Sequence, residues 1–120
     1  RYAKQYEQTF TGLDDEIKGY DAALESLEQQ KLTLESSLQV QQSSIEAQNR
    51  RLEATRASGD INGYNNAVPV YNNQIREYNL AISKLKQIVA NYNEIVKKRN
   101  TLATTQNDLA KQLDSNYQPL

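Results

Sequence analysis

Apolar residues recur along the first half of the chain at alternating steps of four and three: Tyr6, Phe10, Leu13, Ile17, Tyr20, Leu24, Leu27, then Leu34, Leu38, Ile45 and Leu52. A seven-residue repeat sustained this far predicts a long helix whose apolar stripe faces one partner helix. Lys31, Gln41 and Gln48 stand in the same frame. Polar residues at such seam positions weaken the seam but fix register and partner number. The second half resumes the pattern as Ile61, Tyr64, Val68, Tyr71, Ile75, Tyr78, Ile82, Leu85, Val89, Tyr92 and Val96. Leu13 to Leu52 and Tyr64 to Val96 are therefore assigned to the two sides of one seam.

Between the two halves lies Ser58-Gly59-Asp60-Ile61-Asn62-Gly63, the densest group of helix breakers in the chain. Gly59 suits the left-handed position that closes a helix, and Asp60 suits the cap that opens the next. The turn is assigned to Gly59, Asp60 and Gly63. A reversal this short makes the helices antiparallel neighbours, so the predicted fold is all-α, a long antiparallel two-helix coiled-coil hairpin. Helix one is expected over about residues 2–57, the turn over 58–60 and helix two over 61–114, with 115–120 as a frayed tail.

Three places depart from a uniform coil. The phase of the stripe survives across Pro69, which predicts a helix kinked there; the other reading starts the regular helix at Pro69. Beyond Val96, Arg99 and Gln106 occupy frame positions, while Ile88, Ile95, Leu102 and Leu109 form a second row one step away. A helix drifting against a strict heptad broadens its stripe in this way, and the broad stripe could touch a third helix. Gly12 and Gly19, seven residues apart, mark either a weak helix end or a smooth strip for close packing.

Composition agrees with a thin structure. Only 38% of the 120 residues are hydrophobic, with one Phe and no Trp, too little for a thick core. The formal charge of −1 gives no strong attraction to nucleic acid or to an anionic membrane. No apolar run is long enough to span a bilayer. The chain begins at Arg1 and contains no Met, as expected for a segment of a longer protein. Charge also tests the hairpin. Residues 1–58 carry seven basic and ten acidic side chains, net −3, and residues 59–120 seven basic and five acidic, net +2. If Gly59 is the bend, residues whose numbers sum to about 119 face each other. The acidic run from Asp14 to Glu28 then meets Lys97, Lys98 and Arg99.

With no His and no Cys, zinc sites, Ser-His-Asp triads and Cys-His pairs cannot be assembled. Asp14-Asp15-Glu16 and the Glu25/Glu28 pair lack a pocket that would separate two carboxylate pKa values, so they read as a solvated helix face. Asp60-Ile61-Asn62-Gly63 lacks the further ligands of a calcium loop. Lys97-Lys98-Arg99 is too small a basic patch to hold a phosphate backbone. No catalytic, cofactor or metal site is expected.

Tyr64, Tyr71, Tyr78 and Tyr92 are each followed by Asn. Their heptad spacing reads as rings buried along the seam with the hydroxyls at its rim. The repeated Tyr-Asn-x-x-Val/Ile units, followed by Lys98-Arg99-Asn100 and Leu113-Asp114-Ser115, resemble coiled-coil segments of bacterial envelope proteins. Some of those carry a matrixin-like metalloprotease domain nearby, whose His-Glu-x-x-His motif is absent here. The resemblance implies an extracytoplasmic spacer or binding stalk. The expected function is a non-enzymatic structural spacer or protein-interaction module, acting on a protein partner or by self-association through helical faces. The alternatives are a regulatory stalk of a metalloprotease-like protein and a tentacle-type client-binding hairpin. The last of these needs exposed apolar residues near the tip, and with only Ile61, Val68 and Val70 beyond the packed seam the tip is poorly equipped for it.

Overall fold

The computed structural model describes residues 2–117, with side chains from 4 to 115. Two helices account for them: α1, Tyr2–Ala57, and α2, Ile61–Tyr117. The chain is an all-α helical hairpin. Helix α2 continues three residues past the expected end at Asp114, because Ser115, Asn116 and Tyr117 contain no breaker. The rest of the expected tail, 118–120, lies outside the described residues.

The reversal is built from backbone bonds that the sequence makes available. Gly59 has φ 80°, the left-handed conformation. Its N–H donates to the Arg56 carbonyl at 3.2 Å, and the Asp60 N–H donates to Thr55 at 3.3 Å. These two bonds close α1 as a Schellman motif and satisfy carbonyls that the last helical turn leaves orphaned. Asp60 then opens α2. Its backbone carbonyl accepts from Tyr64 N–H at 3.0 Å, and its Oδ1 accepts from Gly63 N–H at 2.9 Å. This is the N-cap bond to the third helical residue.

Gly63, grouped with the breakers on sequence, is therefore a residue of α2. A Cβ there would lie 2.3 Å from Asp60 Oδ2, so its missing side chain makes room for the capping carboxylate. The three turn residues should respond differently in urea denaturation. Gly59→Ala is expected to cost about 1–2 kcal/mol through the left-handed backbone, and Asp60→Ala about 1 kcal/mol through the cap. Gly63→Ala should be near neutral, since about 1 kcal/mol of helix propensity offsets the displaced cap. A Gly63→Ala variant stabilised by the full propensity gain would show that Asp60 does not cap α2.

Pro69 lies inside α2, so the reading that starts the helix there is corrected. Its ring removes the donor to the Asn65 carbonyl, but both residues are on the exposed side, where water can take that acceptor.

The hairpin divides into two units: a base unit, Arg1–Glu28 with Ala90–Leu120, and a tip unit, Gln29–Val89. Within each, α1 and α2 pack antiparallel. In the base unit Tyr6 and Phe10 of α1 share a cleft with Leu113 and Leu109 of α2. In the tip unit Leu38 of α1 and Leu85 of α2 line one groove.

Among the described residues only Ile17, Leu52 and Ile88 are buried apolar side chains, each still 6–7% exposed. The remaining expected seam positions are half-buried, with one exception. A residue between two helices is covered from one side only, which limits its burial. The exception is Val89, 38% exposed, while its neighbour Ile88 is 7% exposed. The seam of α2 is three rows wide. One of its side rows runs Ala67, Gln74, Ala81, Ile88, Ile95, Leu102 and Leu109; the other runs Val68, Ile75, Ile82, Val89, Val96, Ala103 and Ala110. Bulk passes from the second row to the first at residues 88 and 89. Because 3.6 residues per turn does not match a strict seven-residue repeat, the helix drifts and the better-placed large residue takes the buried position.

Candidate functional site

Each residue assigned a role from sequence has a definite place. Tyr64, Tyr71, Tyr78 and Tyr92 are half-buried in the seam and the Asn after each is exposed. Gly12 and Gly19 face open space, with no atom within 4 Å of an added Cβ. Lys31, Gln41 and Gln48 are half-buried along α1. In the tip unit the side-chain oxygens of Gln41 and Gln74 are enclosed without a hydrogen-bond partner. Such an orphaned acceptor lowers stability by about 1–3 kcal/mol.

The acidic run of α1 does meet the basic group of α2 in the base unit, through one residue of each. Arg99 makes a two-point contact with Asp21: Nε donates to Oδ1, and Nη2 donates to Oδ2 at 3.4 Å. Their numbers sum to 120, as a hairpin bent at Gly59 requires. The Asp21 carboxylate holds the Arg99 guanidinium above its ordinary pKa, first through the hydrogen bond and then through charge. Lys97 and Lys98 are exposed beside it.

On α1 itself Asp14 pairs with Lys18 at 3.0 Å, one turn on. The Lys18 ammonium lowers the Asp14 pKa, with a smaller contribution from Gln106 of α2, and Asp14 raises that of Lys18. The depressed carboxylate contributes stability that is present above the unfolded aspartate pKa and lost as pH falls through the folded value. The raised ammonium contributes stability present below the unfolded lysine pKa and lost as pH rises through the folded one. An Asp14→Asn variant should therefore lose part of the acid-side dependence of thermal stability while changing little in high salt, where exposed pairs are screened. A wild-type acid limb retained in full would assign that dependence to other carboxylates.

Among the described residues no group of three or more His, Cys, Asp or Glu could hold a metal ion. Among the same residues no helix is long and apolar enough to cross a membrane. Outside the seam, the tip unit leaves Val40 67%, Leu80 66%, Ile61 71% and Val70 53% exposed, with Leu32 more than a third exposed. Val68, credited to the tip on sequence, is half-buried instead. Leu32, Val40 and Leu80 were missed because they fall between heptad positions, where a seam-based reading has no place for them; large apolar side chains out of frame were the available signal.

In the base unit Tyr6, Phe10, Leu109, Ala110 and Leu113 line a mainly apolar cleft of about 270 Å³, rimmed by Glu7, Thr11 and Asp114. No family model, no curated protein and no solved structure matches the chain.

Proposed function

We propose that the hairpin is a non-enzymatic interaction module that engages protein partners through the apolar side chains its own seam leaves uncovered. The observation that carries this reading is the exposure of Val40, Val70 and Leu80, none of which lies on the seam. A plain spacer does not require large apolar side chains there. The heptad seam, in this reading, holds the two helices in register so that the outer face is presented as one surface.

The test is cross-linking, in the cells that make the protein, of the wild type and of a variant carrying Val40→Ser, Val70→Ser and Leu80→Ser. The interaction reading expects the cross-linked species to disappear while the helical content of the purified variant is retained. Unchanged species would leave the hairpin a spacer. Loss of the species on Ile61→Ser alone, with the triple variant unaffected, would favour the client-binding reading, because Ile61 sits beside the turn.

A further inference from the structure

The two units carry opposite net charge. By sequence, the tip unit has seven basic and five acidic side chains, net +2, and the base unit seven basic and ten acidic, net −3. They also differ in apolar surface. Exposed large apolar side chains concentrate in the tip unit, while the base unit holds the apolar cleft around Tyr6, Phe10, Leu109 and Leu113 with its acidic rim. Each unit thus offers what the other lacks.

We infer that two copies of this chain associate antiparallel, the tip unit of each lying on the base unit of the other. This rests on the interaction-module reading and names the partner as a second copy. A two-fold pairing uses the same surfaces on both chains, so the tip-to-base contact is made twice. Parallel pairing would instead set −3 against −3 and +2 against +2. Exposed ion pairs are individually weak, so charge selects the orientation and apolar burial supplies the affinity.

The surface required is present. The chain exposes 8964 Å². A standard interface removes about 800 Å² from each partner. Val40 and Leu80 lie on different helices of the tip unit, and their numbers sum to 120, the same register as Asp21 and Arg99 in the base unit.

Sedimentation of the purified chain over a wide concentration range should give a dimer of twice 13.7 kDa. Lys84→Glu with Lys86→Glu, both exposed and off the seam, turns the tip unit from +2 to −2 and should weaken dimerisation about tenfold at moderate salt. The absence of Cys permits a direct test of orientation. With a flexible bis-maleimide, a mixture of Asn62→Cys and Gln8→Cys chains should yield the mixed dimer, and neither variant alone should cross-link efficiently. Self-linking of Asn62→Cys would mean parallel pairing and overturn the inference. A monomer at every concentration would overturn it entirely, while loss of cellular cross-links in the triple serine variant would still uphold a different protein partner.

Discussion

Replacing Ile88 by alanine is expected to destabilise the hairpin by about 2–4 kcal/mol, and replacing its neighbour Val89 by under about 1 kcal/mol. Both are apolar, and a strict heptad count puts Val89 in the seam. The structure reverses that order, burying Ile88 and leaving Val89 more than a third exposed. Truncating Ile88 removes three carbons from one of the few buried positions, and a thin two-helix seam has little neighbouring mass to collapse into the gap. Denaturation followed by far-ultraviolet circular dichroism, at one protein concentration because self-association would shift the midpoint, gives both values. Equal losses, or a larger loss at Val89, would return the seam to the strict frame.

Pro69→Ala should have nearly as large an effect, in the opposite direction. An interior proline costs a helix about 3 kcal/mol by removing one hydrogen bond and crowding the carbonyl four residues back. Its rigid ring recovers about 0.4–1 kcal/mol by restricting the unfolded chain. A net gain of about 2 kcal/mol is the expected outcome, with slower amide exchange over residues 61–69 as the missing bond to Asn65 forms. The site is exposed and off the seam, so an alanine there disturbs no packing. A variant no more stable than the wild type would show that the geometry imposed by Pro69 is used elsewhere in the tip unit.

Much of the fold was legible because its determinants are local. The seven-residue repeat predicts two helices, and the cluster from Ser58 to Gly63 predicts where they separate. The Schellman closure at Gly59 and the cap at Asp60 involve residues at most five apart, and no distant group has to be known for either. The charge pattern likewise anticipated a contact between the acidic run and the basic group. It could not choose Asp21 and Arg99 from among the candidates, because that choice depends on which side chains point along the same edge of the seam.

The candidate surface was less legible, for the same reason that the seam was easy to read. A heptad analysis sorts residues into seam and solvent, and Val40 and Leu80 fall outside its frame. Their significance depends on how completely each is left uncovered by the opposite helix, and that is a tertiary property. The orphaned oxygens of Gln41 and Gln74 belong to the same class, since an amide at a seam position can be satisfied or not according to what lies across from it.

The sequence by itself determined that the chain is helical, that it reverses at Gly59, and which broad stripe of each helix faces inward. Those properties follow from backbone capping and from periodicity, both of which act over a few residues. Only the tertiary structure decided that Ile88 displaces Val89, that Gly63 serves the Asp60 cap from inside α2, and that large apolar side chains stay outside the seam in the tip unit. Each of these depends on small angular offsets that accumulate along a helix until a different side chain meets the partner, a sum over many residues that no local pattern records.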